Sequence, residues 1–425
     1  MKLPRLRVHS SGRYLETEDG RGFFWLADTA WELFHRLSRE EADAYLRDRS
    51  AKRFTVIQAV VLAELDGVKT PNAAGHYPLI DDDPTKPNEA YFRDVDWVVG
   101  RAEELGMYVG MLPTWGDKWH KGGGIGPRLF TPENARLYGR YLGERYRDAA
   151  IVWILGGDKF VGDEEERQII EGMAAGLREG DGGRHLITFH PIGQYSSAMY
   201  FHEAPWLDFN MIQSGHTLYR DNYTSVAVDY NRVPVKPVID GEPGYENIPH
   251  GFDVRNPRLG AIHVRRYCYW ALFSGACGHT YGCNEIWQMW REGLTPMVGA
   301  MLPWYEAMRL PGSGQMQHAR ALIESGPYFD RVPDPSLVEP PNCTGPDYVA
   351  ASRGPGGEYG LVYFPAGKAA TLRTYLLKGP RVVATWYDPR TGERHAGGEV
   401  EVEPWKSTMF IPPSAEDWVL VLASV

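Results

Sequence analysis

Between residue 23 and about residue 310 the chain alternates short apolar runs with amphipathic stretches, and this alternation constrains the fold more than any other feature. The runs are Phe23–Ala27, Phe54–Leu62, Met107–Leu112, Ile151–Leu155, His185–Phe189, Leu207–Ile212, Val235–Ile239 and Gly278–Tyr281. Their apolarity is continuous rather than alternating, as in parallel strands covered on both faces. Helix signals fall between most of them. Ser38-x-x-Glu41 is a capping box opening a stretch to Lys52. Asn88–Glu104 carries apolar residues at helical spacing and stops before Gly106, a helix-ending glycine. Thr131-Pro132-Glu133 reads as the cap and first turn of a helix to Tyr146, and Pro257–Ser274 reads as a further helix. Eight such alternations predict an α/β fold, a closed (β/α)8 TIM barrel. A doubly wound open sheet is the second choice, weakened because no G-x-G-x-x-G follows the first run.

A barrel of this kind takes about 250 residues or somewhat more, so a chain of 425 leaves room for a second module. Residues 326–347 are rich in Pro and Gly, and the pattern then changes to short strands. Tyr359–Phe364, Val382–Tyr387, Glu399–Val402 and Trp418–Leu422 are separated by turns such as Pro355-Gly356-Gly357 and Pro389-Arg390-Thr391-Gly392. The expected division is a barrel over 1–325 and a small antiparallel β-sandwich over 326–425. The sandwich shows no catalytic constellation, and its expected role is to stabilise the barrel rather than to bind carbohydrate.

The net charge is −10 and no basic stripe occurs, so nucleic acid is not an expected partner. No run approaches the ~18 apolar residues of a membrane span, and no membrane is expected. The start, Met1-Lys2-Leu3-Pro4-Arg5, lacks the apolar centre of a secretory leader, giving the expectation of a cytoplasmic protein. Cys268, Cys277, Cys283 and Cys343 form no metal-like or disulfide-like spacing. Tryptophans and tyrosines number 14 and 24, many beside Gly, Asp or His, as clefts that stack on sugars require.

Barrel chemistry sits where strands end. Asp158 and Glu242 each follow an apolar run directly, just after glycine, at the ends of the fourth and seventh strands, which face each other across a barrel mouth. Glycoside hydrolysis needs such a pair, one carboxyl protonated and one ionised. Other candidates at strand ends are Asp28, Trp31, Gln58, Trp115, His190, Gln213, Tyr281 and Trp287, expected to bind substrate. Asp28 reads as a hydroxyl binder or a helix cap, and Tyr281 as a hydrogen-bond donor to the nucleophile. Asp240, two residues before Glu242, reads as a tuning neighbour on the same side or as a structural residue. Asp117 is a weaker candidate in the Gly-rich loop Gly116–Gly126. His190, His216 and His279 have no compact metal spacing. Neither a metal nor a cofactor is expected.

Trp25-Leu26-Ala27-Asp28-Thr29-Ala30-Trp31, Trp153-Ile154-Leu155-Gly156-Gly157-Asp158 and Ile239-Asp240-Gly241-Glu242-Pro243, with Tyr245-Glu246 beyond, resemble the apiosidase-like glycoside hydrolases, family 140 and its wider superfamily. The resemblance covers about residues 10–425. It implies a (β/α)8 barrel followed by a sandwich named for collagen binding, although nothing in this sequence points to collagen. It also implies a retaining hydrolase in which Asp158 is acid/base and Glu242 nucleophile, with apiose as the released sugar. The pectin-degrading members are exported, whereas this chain shows no leader. A short oligosaccharide or plant glycoside is therefore the expected substrate, cleaved exo-fashion to release a terminal pentose. An endo-acting glycanase and a non-catalytic carbohydrate-binding barrel are the alternatives. The long segments Asp66–Glu89 and Asp240–Asn256 favour a pocket over an open groove.

Overall fold

The computed structural model describes residues 2–425. All eight runs become parallel strands: β1 (Trp25–Thr29), β2 (Val56–Leu62), β3 (Tyr108–Thr114), β4 (Ile151–Gly156), β5 (Ile187–His190), β6 (Asn210–Gln213), β7 (Val238–Asp240) and β8 (Gly278–Tyr281). Ladders run from β5 through β4, β3, β2 and β1 to β8, β7 and β6. Between β5 and β6 the ring is completed by single bonds rather than a ladder. Asp208 N–H donates to Ile187 O at 2.9 Å, and Ile187 N–H donates to the Asp208 carboxylate at 2.7 Å. Thr188 Oγ1 donates to Phe209 O at 2.7 Å.

Strand periodicity sorts side chains into two layers. Val56 and Val60, Val152 and Ile154, Met211 and Ile239 fill the barrel interior. Ile57, Val61, Trp153, Leu155, Ile187 and Phe189 pack outwards against the helices. Gly110 stands where the interior is full, since a Cβ there would come within 2.9 Å of Ile154 Cδ1. Three helices begin as their signals predict. Ser38 and Glu41 form both halves of the capping box of α1 (Arg39–Ala51). Asn88 caps α2 (Glu89–Glu104), and Thr131 caps α3 (Pro132–Tyr146) with Pro132 in the first turn. The stretch after Pro257 is helical only as α4 (Ala261–Phe273).

Two runs are trimmed. Phe23 pairs in an antiparallel sheet of Leu6–Val8, Leu15–Thr17 and Gly22–Phe23 that precedes the barrel. The seventh run becomes a strand only from Val238, after Pro237. No helix among the described residues is long and apolar enough to cross a membrane.

The C-terminal strands build a six-stranded antiparallel sheet, in the order Val332–Pro333, Ala350–Arg353, Tyr359–Phe364, Trp418–Ser424, Arg381–Tyr387 and Arg394–Glu401. A two-stranded sheet of Ala370–Leu372 and Thr408–Phe410 completes the sandwich. Leu337, Phe364, Leu372, Trp386, Phe410 and Trp418 belong to its core. The sandwich leans on α4, where Tyr363 stacks on Tyr269 at 5.1 Å. Arg265 of α4 forks onto Asp417 through Nε (2.9 Å) and a terminal nitrogen (2.7 Å). Tyr363 OH donates to the same carboxylate at 3.0 Å.

Both partners of this ion pair are buried, so breaking it on one side strands a charge. Asp417→Asn is expected to lower unfolding free energy by about 3–5 kcal/mol, read from denaturant or thermal unfolding. A change below about 0.5 kcal/mol, the range of an ordinary surface substitution, would show that the pair does not couple the sandwich to the barrel.

Candidate active site

The site is built where β4 and β7 end. Gly156 and Gly157 leave β4 with φ of 93° and 104°, and Asp158 follows at φ 53°. Only glycine enters such a turn without cost, and there is no room for more: a Cβ on Gly156 would lie 2.3 Å from His190 O. Hydrogen bonds lock the turn from both neighbouring strands. Gly116 N–H donates to Gly157 O at 3.0 Å, and Gly157 N–H donates to His190 O at 3.2 Å. The Trp119 indole donates to Gly156 O at 2.9 Å. The effect is to turn Asp158 into the mouth.

Glu242 lies two residues past the end of β7. Gly241 and Glu242 both donate their N–H to Ile212 O, at 2.8 and 3.3 Å. Three side chains meet its carboxylate. His190 Nε2 lies 2.8 Å from Oε2. His216 Nε2 lies 3.0 Å from Oε1, and Gln213 Nε2 donates to Oε1 at 3.1 Å. The opposite nitrogen of each histidine receives a backbone N–H, Asp158 N on His190 Nδ1 at 3.3 Å and Tyr245 N on His216 Nδ1 at 3.4 Å. In each ring, therefore, Nε2 is the nitrogen that faces Glu242.

The two carboxyls are driven apart in acidity. For Glu242, burial acts to raise the pKa, but the hydrogen bonds and charges of His190 and His216 outweigh it and hold the group at about 2. Asp158 is pushed up to about 6 by burial and then by the Glu242 charge, against smaller opposing effects of His190, Gln213 and His216. The Gln213 amide thus lies against both carboxyls. Two such groups, one ionised and one able to hold a proton near neutrality, are what acid-assisted cleavage of a C–O bond requires.

The remaining predicted residues divide. Trp31 and Trp115 join the site, with ring centroids 5.2 Å apart and His190 at 5.4 and 5.9 Å from them. Trp287 belongs to the same apolar cluster as these indoles, its Nε1 donating to Asn284 Oδ1 at 3.4 Å. Asp28 does not join. It points out of the barrel, where Tyr45 OH and Arg49 Nε of α1 donate to one of its oxygens, and it is fully buried. Its place in the outward phase of β1 is the reason, so it is neither a hydroxyl binder nor a cap.

Gln58 points inwards but lies below the site. Its amide donates to Gly241 O at 3.1 Å and accepts from Thr280 Oγ1 at 3.2 Å. Both ends are used within the barrel, so it fixes the backbone beside Glu242 instead of meeting a ligand. Tyr281 also faces outwards and donates to Glu246 at 2.6 Å, not to Glu242. Asp240 turns outwards too, one position on from the inward Ile239, and the phase reversal at Gly241 keeps Glu242 from sharing its side. Asp240 accepts from Ser214 at 2.8 Å and Asn222 at 2.9 Å. Asp117 is held by both oxygens on Lys118 Nζ at 2.8 Å. His279 pairs in register with Asp240 on the outward face, so the three histidines do not converge.

Two residues of the site escaped the sequence reading. The buried Tyr245 hydroxyl adjoins Glu242, Thr29 and Trp31, and burial followed by the Glu242 charge raises its pKa well above the usual phenol value. Its signal was its place three residues after Glu242, at the edge of the motif that carries the family resemblance. The carboxyl of Glu64, two residues past the end of β2, has no hydrogen-bond or ion-pair partner among the described residues, although its carbonyl accepts from Asp66 N–H at 2.8 Å. Burial, then the charges of Asp158, Glu32, Asp117 and Glu242, push its carboxyl well above the usual range. The loop carrying it is anchored by Leu65 N–H on Glu32 at 3.0 Å.

A barrel with two such carboxyls at facing strand ends defines a glycoside hydrolase, and comparison with known proteins agrees. The family model for the apiosidase-like catalytic domain matches residues 9–330. A model named for the collagen-binding domain of a collagenase matches 332–423. Two solved structures are similar over the whole chain. One, described as a glycoside hydrolase, shares 34% identity over 99% of this chain and 97% of its own, with TM-score 0.90. The other, described as a glycoside hydrolase family 5 protein from Bacteroides vulgatus, shares 34% identity over 99% and 94%, with TM-score 0.91. No curated protein matches the chain significantly. The chain belongs to the apiosidase-like glycoside hydrolase family.

Because the histidines lower the Glu242 pKa against burial, losing one donor moves it upwards. His216→Ala is expected to shift the acid limb of the kcat/KM profile to higher pH, with the alkaline limb moved far less. An acid limb that stays in place would show that His216 does not set the ionisation of Glu242.

Proposed function

We propose that the protein is a retaining exo-glycosidase in which Glu242 is the nucleophile and Asp158 the acid/base. The observation that carries the division of roles is that Glu242 and Asp158 meet around His190 at facing strand ends, with Glu242 held at about 2 and Asp158 pushed up to about 6, while the family match supports retention. An ionised Glu242 oxygen attacks the anomeric carbon. The bond from that carbon to the leaving oxygen breaks, its electron pair stays on the oxygen, and the Asp158 proton neutralises it. The product is an ester between the sugar and Glu242. In the second step the Asp158 carboxylate takes a proton from water, the water oxygen attacks the anomeric carbon, and Glu242 departs as a carboxylate. Two inversions give net retention.

The depth of the site supports exo action. Glu242 is only 5% exposed, as expected at the floor of a pocket that admits one terminal sugar. The family description supports a pentose of the apiose type, released from a short oligosaccharide or plant glycoside.

Three results are expected together. Proton NMR of the first product formed shows the anomer of the substrate. Glu242→Gln abolishes turnover. Asp158→Ala slows a substrate with a poor leaving group by about a hundred- to ten-thousand-fold, and slows formation of the glycosyl-enzyme from an activated aryl glycoside far less. In the wild type, kcat/KM falls as pH rises through about 6, because the acid must carry its proton. Equal slowing of both substrates in Asp158→Ala would remove Asp158 from the acid role, and first release of the opposite anomer would exclude the nucleophile.

A further inference from the structure

The loops after β4, β5, β6 and β7 each leave one aromatic side chain exposed: Phe160, Tyr195, Tyr219 and Phe252. They follow consecutive strands on the face that carries the site. One of them touches the catalytic cluster. The Phe252 ring lies 5.4 Å from the His216 ring, crossing it at 74°, and His216 meets Glu242. From the floor outwards the order is Glu242 (5% exposed), His216 (7%) and Phe252 (56%).

Phe252 is also held in a costly backbone conformation, φ 65°. A bulky residue at positive φ is an outlier, and such strain collects at ligand-binding positions. The two residues before the ring are tied to the loop after β6. Gly251 N–H donates to His216 O at 3.1 Å, and Leu218 N–H donates to His250 Nδ1 at 3.2 Å. The fold therefore fixes an apolar ring against water beside the nucleophile's histidine, where burying it would be favourable.

We propose that Phe252 is a specificity residue that stacks on the leaving group. This rests on the exo-glycosidase reading. If the terminal sugar fills the floor at Glu242, what remains at the mouth is the aglycone, and Phe252 is the exposed ring that stands above that floor through His216. The ligand chemistry is a ring with an apolar face, supplied either by a phenolic aglycone or by the next sugar.

The test uses three substrates carrying the sugar that the enzyme accepts: its glycosyl fluoride, which has no leaving-group ring, its phenyl glycoside and a disaccharide. Phe252→Gly deletes the ring and relieves the positive φ, so thermal stability is not expected to fall. Relative to the fluoride, kcat/KM for a ring-bearing substrate falls at least tenfold, chiefly through KM, and Phe252→Tyr restores it. Loss on the phenyl glycoside alone assigns a phenolic aglycone, and loss on the disaccharide alone assigns a sugar. Equal loss on all three substrates would overturn the proposal by showing that Phe252 acts through His216. No loss on either ring-bearing substrate would overturn it as well. A wild type that turns over none of a broad panel of glycosides would strike the hydrolytic reading itself, and this proposal with it.

Discussion

A carboxylate taken out of water tends to recover its proton, and Glu242 is prevented from doing so by two imidazoles. Each imidazole works because a backbone N–H occupies its other nitrogen. Those N–H groups belong to Asp158 and Tyr245, so the ionisation of Glu242 depends on where the chain runs after β4 and β7. The three left-handed residues that end β4 and the reversal at Gly241 are therefore part of the electrostatics. A hydrogen bond to a fixed backbone costs little reorganisation when charge moves, which is the usual advantage of a preorganised site.

The same arrangement explains Asp158. Its pKa rises partly because Glu242 stays charged beside it, so the histidines around Glu242 indirectly help Asp158 keep its proton. Gln213, against both groups, and His190, bonded through Asp158 N–H and facing Glu242, make the pair one unit. Glu64 feels the same field, since the Asp158 and Glu242 charges add to burial in raising its pKa. Around the unit the barrel is sealed from below by Gln58 and the residues it bonds, and from the sides by Trp31, Trp115 and Tyr245.

The fold was legible because parallel strands buried on both faces leave uninterrupted apolar runs, and eight of them can close. The ends were less so. Phe23 is as apolar as Phe24 and Trp25, and nothing local shows that it pairs outside the barrel. Asp158 and Glu242 stood out because each follows a glycine at a strand end and the two strands face each other across the mouth. Asp28 and Tyr281 were misplaced for one shared reason, while Gln58 has the inward phase but lies too deep in the barrel to reach the mouth. Where both faces of a strand are buried, polarity does not say which face is inward, and a residue one position out of phase points at a helix. Tyr245, Glu64 and Phe252 lie beyond strand ends on irregular chain, where no periodicity exists to read. His216 was visible as a polar residue after a strand, but its partner was not.

The most direct test of the account is to trap the intermediate. An activated 2-deoxy-2-fluoro glycoside of the accepted sugar slows both steps, the second more when the leaving group is good. Intact mass spectrometry is expected to show one sugar added to the wild-type protein, and peptide mapping to place it on Glu242. An adduct on another carboxylate, or steady release of inverted product with no adduct, would contradict the assignment of Glu242 as nucleophile.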